Sequence, residues 1–439
     1  MVAHIAVQTK SRRSILQTMP FRLTPIAPVL LGIFSAQAAL GIMTPLIPLM
    51  LVKAGISTPT IGLIASAYFV GFLLGALSCA RIVRRVGHIR AFAVFAAVAA
   101  DGALMMALSD QPAVWAAMRA LIGYCNAGLS LVAESWLNER SDRTTRGRTL
   151  GAYMVASWGA GVLGPLVLDV VPPISLMFAV VGLAFTTAVL PMALTHQPNP
   201  EIRRDAQLSL GELLRVSPAG VACCLTAGLV NSVFYSLIPV FLSREGYLAT
   251  TVATFAAATN LSGLAVQAPV GFLSDRLGRR PVAVAVLVSS CAASVLMGLG
   301  ASAIFSVFLG IGCLFAACTA PLYGLGSSLT NDRLQPGQAL AATGGLLFSW
   351  SIGSTFGPSV AGVMMGRIGS SGLFVYLSVV LAIITLFVCS RMLQRSEVPR
   401  EQRTSFVPVP AAPPHHAELA AHGARPPEPE LPLRADALS

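Results

Sequence analysis

The stretch Gly271-Phe-Leu-Ser-Asp275-Arg276-Leu-Gly278-Arg279-Arg280 places one acidic and three basic side chains in six positions, after a run with no charged residue between Glu245 and Asp275. On a soluble surface such a cluster is ordinary. At the end of a long apolar helix it marks the point where a chain leaves the hydrocarbon layer. The whole composition decides between the two readings. The 439 residues are 55% hydrophobic and 11% charged, with a mean hydropathy of +0.75, whereas a soluble domain carries roughly 25% charged residues. The chain reads as a membrane protein, and two or three soluble domains are excluded.

Apolar stretches long enough to cross a ~30 Å hydrocarbon layer at 1.5 Å per residue recur at 28–51, 60–80, 91–109, 112–138, 147–170, 174–195, 218–243, 248–273, 281–301, 303–329, 337–363 and 371–392. Only Lys53, Arg244 and Arg367 among the 29 basic residues fall in odd-numbered loops, and only Arg119 lies inside a span away from its ends. The remaining basic residues occupy the tails, the even-numbered loops and the central loop. By the positive-inside rule both termini are expected in the cytoplasm. No small-residue cleavage site follows the first apolar run within signal-peptide length, so that run is expected to stay as a span.

The two halves repeat. Leu46-Ile47-Pro48, Leu51, Lys53 and Gly55 at the end of span 1 return as Leu237-Ile238-Pro239, Leu242, Arg244 and Gly246 at the end of span 7. The same shift sets Gly87 on Gly278. A shift two residues longer sets Gly164-Pro165 of span 5 on Gly357-Pro358 of span 11. A six-span unit duplicated in parallel explains this. The expected architecture is therefore all-α and integral to the membrane: twelve transmembrane helices in two pseudo-symmetric six-helix bundles, 28–195 and 218–392. They are flanked by an N-tail (1–27), a linker (196–217) in which Ser209 and Glu212 have the spacing of a capping box, and a Pro- and Ala-rich tail (393–439). That tail buries too little apolar surface to fold and is expected to be disordered.

Twelve spans, the duplication and Gly-x-Leu-x-Asp-Arg-x-Gly-Arg-Arg after span 8 together resemble the major facilitator superfamily over 25–392. Tyr68-Phe69, Gly71, Glu134-Ser135 and Gly147-Arg148 are similar to its YcaD-like bacterial transporters. The resemblance implies a secondary carrier in the bacterial inner membrane, a monomer working by alternating access. It also implies that Gly271, Asp275, Arg276, Gly278 and Arg279 form a conformational latch between bundles. The physics agrees with that role: an Asp at a helix end accepts from the first N–H groups of a neighbouring helix. The first-half counterpart has Arg84 where the Asp should stand, so a matching latch there is in doubt. His88 in that loop reads as a solvated residue.

Asp101 and Arg119 each lie roughly 10–14 Å from the outer ends of spans 3 and 4 at 1.5 Å per residue. A charge at the membrane centre costs about 2.5–3.5 kcal/mol to insert, so pairing or a water-filled cavity is expected. Arg119-x-x-x-Gly123 also matches the superfamily's span-4 motif, whose Arg is linked with proton coupling. Glu134, one turn from the cytoplasmic end of span 4, would hold a proton more readily when desolvated; equally, it reads as an interfacial residue with Trp136 in the aromatic belt. Asp101, Arg119 and Glu134 are thus the proton-coupling candidates. The polar uncharged residues Gln37, Tyr68, Asn126, Tyr153, Asn231, Tyr235, Asn260, Gln267 and Tyr323 are candidates for a substrate cavity between the bundles. Gly164, Pro165, Gly357 and Pro358 are candidates for close helix packing.

The six His lie in tails or loops and the eight Cys in apolar runs, so neither metal nor other cofactor is expected. The scattered positive charge argues against nucleic acid. No nucleophile–base set and no phosphate-binding Gly-x4-Gly-Lys-Ser/Thr loop is present, so an enzyme and an ATP-driven pump are disfavoured. The expected partners are a small organic solute, protons and the lipid bilayer. The alternative is a non-transporting solute sensor or assembly partner on a carrier fold.

Overall fold

The structure is a computed structural model that describes residues 26–139, 141, 146–169, 176–194, 208–300, 304–335, 338–394 and 406. Among these residues it contains helices and no strand. The first half comprises α1 (Ala27–Lys53), α2 (Thr58–Val86), α3 (His88–Ala107), α4 (Pro112–Glu139), α5 (Arg146–Leu166) and α6 (Met177–Ala193). The linker helix is α7 (Leu210–Val216). The second half comprises α8 (Pro218–Arg244), α9 (Ala249–Leu277), α10 (Arg279–Gly298), α11 (Phe305–Thr319), α12 (Leu322–Asn331), α13 (Ala339–Ile368) and α14 (Gly372–Gln394).

Ten helical segments are long and apolar enough to cross a membrane, counting α5 with its short 3-10 extension as one and α11–α12 as one. Two further helices complete the path. The 17-residue α6 packs on α1 and α3, and the 30-residue α13 runs along α2 and α8. The tenth span is broken where the sequence led us to expect a continuous helix. Pro321 has no N–H to donate and stands between α11 and α12. The fifth span likewise leaves α-geometry after Leu166 and finishes in a 3-10 turn, Val167–Asp169.

The duplication is visible in the backbone. The equivalent glycines Gly55 and Gly246 have φ of 72° and 85°, and Gly87 and Gly278 have φ of 87° and 104°. A side chain would strain all four positions. Gly87 and Gly278 turn one helix directly into the next, so no flexible loop separates α2 from α3 or α9 from α10. Equivalent glycines also set the helix packing. A Cβ on Gly164 would lie 2.7 Å from the Ala38 carbonyl of α1, and one on Gly357 would lie 2.8 Å from the Leu229 carbonyl of α8. Small residues here let backbones approach closely, which is how helices associate without a hydrophobic drive.

Ser209 caps α7 as expected: its hydroxyl accepts from the Glu212 amide, and the Glu212 carboxylate accepts from the Ser209 amide at 2.8 Å. These bonds hold the Glu212 carboxyl below its usual range, so the box is complete at neutral pH and opens only as pH falls through that lowered value. Residues 1–25 of the N-tail, 195–207 of the linker and all of the tail beyond Gln394 except Phe406 lie outside the described residues.

Candidate functional site

The site is assembled where helix backbones nearly touch. Gly71 of α2 faces the Ala120 carbonyl of α4, and Gly123 of α4 faces the Tyr68 carbonyl of α2, each so closely that a Cβ would collide with it. This contact brings the Arg119 guanidinium over the Tyr68 ring, with Cζ 4.5 Å from the centroid. The Tyr68 hydroxyl accepts from the Asn126 amide at 2.9 Å. Cation–π contact compensates part of the cost of placing Arg119 at this depth.

Arg119 opens onto a cavity of about 210 Å³ between the two halves. Seven of the nine polar candidates line it: Gln37, Tyr68, Asn126, Tyr153, Asn231, Tyr235 and Asn260. Gln267 and Tyr323 do not; both are buried nearer the face that carries α1's first residue and α14's last, which we term the terminal face. The lining runs from mid-helix toward the opposite face, reaching Leu51 on α1 and Ile61 on α2. Sequence reading missed the aromatic floor. Trp350 of α13 meets Phe69 and Phe72 of α2 edge-on at 5.9 and 5.8 Å, and Trp158 of α5 packs on Gly263 of α9. The signal was available, since Trp158 and Trp350 stand at nearly the repeat spacing.

Two seams close the halves around this cavity. Toward the opposite face, α2 and α13 meet at Gly62 and Gly362, and Ser66 accepts from the Ser359 amide at 3.1 Å and pairs with its hydroxyl at 2.7 Å. Toward the terminal face, Leu150, Met154 and Trp158 of α5 pack on Ala320 beside Leu264 of α9.

Glu134 belongs to the terminal-face seam. It is 3% exposed; the Tyr153 hydroxyl of the first half stands near it and near Ser130 and Ser157, and Tyr323 of the second half is also a neighbour. The interfacial alternative is thereby corrected. Trp136 is fully buried and faces His88 edge-on at 6.3 Å. His88 is corrected with it: at 2% exposed it is no solvated loop residue, because Gly87 leaves no loop and His88 begins α3 already turned inward.

Asp101 does not join the site. It is exposed on an outer stripe of α3 with Val94, Leu104, Met105 and Leu108, and no ion pair links it to Arg119 among the described residues. Similar depth along two helices does not fix their rotation.

The charged stretch that ends α9 and begins α10 makes contacts mainly inside the second half. Arg279 is 2% exposed and pairs with Asp332, just past α12, through Nε–H to Oδ2. Arg276 stacks on Phe272 one turn back at 4.3 Å, and Arg280 donates to the Met392 carbonyl of α14 at 3.1 Å. These contacts of Arg276 and Arg279 fall within the second half. The short turn at Gly278 makes Arg279 the first residue of α10 and aims it at Asp332. Asp275 lies 3.7 Å from Arg279 and accepts the Phe406 amide at 3.3 Å, while the Phe406 ring fills the notch at Gly271.

Comparison with known proteins agrees with this geometry. The sequence matches the Major Facilitator Superfamily over residues 29–267 and again over 246–421. It is 28% identical over 371 residues to an uncharacterized MFS-type transporter of Enterobacter sp. strain 638, and 27% identical over 371 residues to the uncharacterized MFS-type transporter YcaD of Escherichia coli O45:K1. Each alignment covers 83% of this chain and 95% of the relative. Among solved structures, a mutant of the nucleoside transporter NupG superposes with a TM-score of 0.71 at 11% identity, covering 84% of this chain and 99% of that one. A bacterial homolog of the human lysosomal transporter Spinster, inward-facing and occupied, gives 0.69 at 16%, covering 88% and 99%. At these identities the structural likeness concerns the fold.

Proposed function

The chain belongs to the Major Facilitator Superfamily, in its YcaD-like group, and on that premise we propose a proton-coupled secondary carrier that moves a small organic solute by alternating access. It is a multi-pass membrane transporter rather than an enzyme. In our reading it works as a monomer in a bacterial inner membrane with the terminal face in the cytoplasm.

One observation carries the reading. A cavity between the halves, with Arg119 in its lining, lies on the opposite-face side of a seam that buries one carboxylate among the described residues, Glu134. Burial disfavours a carboxylate's charged form, and access to water restores it. Opening the terminal seam would admit water to Glu134 and favour release of its proton there. Closing that seam while the Ser66–Ser359 seam parts would turn the cavity to the other side. Binding of solute and proton then acts by shifting the population between the two states.

Spin-label pairs test the alternation. Lys53 and Arg367 lie at opposite-face ends of α1 and α13, and Arg85 and Leu277 lie at terminal-face ends of α2 and α9; all four are exposed. On acidification the two distances should change in opposite senses. Two fixed distances, or two that lengthen together, would sink the alternating-access reading.

A further inference from the structure

We infer that the solute is an organic monoanion with an apolar or aromatic body, and that its anionic group is held by Arg119. This rests on reading the cavity as the carrier's solute site. Arg119 is the only charged side chain in the lining. It makes no hydrogen bond or ion pair with any described residue, and its buried Nε has no acceptor. The nearest buried carboxylate on the same helix, Glu134, is fifteen residues away, about 22 Å along the axis at 1.5 Å per residue. The guanidinium therefore presents a fork of donors to the cavity with no counter-ion among the described residues, the arrangement that suits a planar anion such as a carboxylate.

The rest of the lining sets the body of the solute. The Tyr68 phenol accepts from Asn126, which leaves its own proton for donation beside Arg119. Trp158 and Trp350 keep indole N–H groups without an acceptor among the described residues. Around these donors stand Met43, Ile47 and Phe69, an apolar wall for a hydrocarbon or ring. A cation would meet Arg119 with no acid nearby. A neutral solute would leave the guanidinium unpaired once closure expels water, the condition a buried charge tolerates least. A monoanion removes that penalty, and the interaction strengthens as the cavity dries.

The test is binding to the purified full-length protein of three matched pairs: benzoate and benzamide, hexanoate and hexanamide, benzenesulfonate and benzenesulfonamide. Each anion should bind at least about tenfold more tightly than its neutral partner, a difference of about 1.4 kcal/mol. Arg119→Gln should erase the preference, and Arg119→Lys should keep part of it. The inference is overturned if the amides bind as tightly as the anions, if the preference survives Arg119→Gln, or if no anion binds at millimolar concentration. The wild-type comparison stands even if the variants fold poorly. Anion preference without solute counterflow would remove the carrier reading and leave this one. Counterflow of a compound bound without charge preference would do the reverse.

Discussion

Asp332→Ala is expected to destabilise the protein by about 3–5 kcal/mol, because it removes the close carboxylate from a buried guanidinium. The side chains of Arg279 and Asp332 are only 2% and 6% exposed, and the pair ties the start of α10 to the end of α12, the segment of the tenth span that follows the break at Pro321. Asp275 is a poor substitute partner: it is 41% exposed and its oxygen lies 3.7 Å from Arg279. Asp275→Ala should therefore cost no more than about 1 kcal/mol, the range of an exposed pair. The double substitution Arg279→Met with Asp332→Leu should recover most of the loss, since well-packed apolar residues commonly replace a buried pair without penalty. Thermal unfolding of the detergent-solubilised proteins measures all three. A melting temperature for Asp332→Ala equal to that of the parent would show that the pair is not structural.

Glu134→Gln is expected to reduce pH-gradient-driven accumulation in proteoliposomes to background while leaving solute exchange at equal pH intact. The amide keeps the volume and much of the hydrogen-bonding capacity next to Tyr153, but it cannot carry the proton. Asp101→Asn should leave gradient-driven accumulation unchanged, because Asp101 faces outward among exposed apolar residues. Accumulation by Glu134→Gln at the parent level would dismiss Glu134 as the coupling group. Loss of accumulation in Asp101→Asn would show that the outer stripe of α3 takes part after all.

The architecture was legible because it is written in coarse quantities: the length of apolar runs, the sidedness of Lys and Arg, and glycines that recur at one shift. The positive φ at Gly55, Gly87, Gly246 and Gly278 is the backbone form of that recurrence. Cavity residues were legible to the extent that polarity within an apolar helix has few other uses. What sequence left open is rotation about the helix axis. Asp101 and Arg119 have similar depth, yet one faces outward and the other lines the cavity, because Gly71 and Gly123 fix how α4 meets α2. Tyr323 and Gln267 are polar but lie outside the cavity, buried nearer the terminal face. Asp332 escaped notice because a lone acid in a short loop reads as surface; only the fold shows that α10 begins by pointing Arg279 at it. His88 and Trp136 were misread because a glycine between two helices reads as a loop, and here it is a turn of one residue.

The most direct test of the carrier reading is counterflow. Proteoliposomes are loaded with an unlabelled compound that stabilises the purified protein, then diluted into a trace of the same compound in radiolabelled form with no pH gradient. A carrier with one alternating site predicts transient accumulation of label above its equilibrium level, abolished when the α2–α13 seam is cross-linked through cysteines at positions 66 and 359. Binding of the compound with label never rising above equilibrium would contradict transport and leave a solute sensor on a carrier fold.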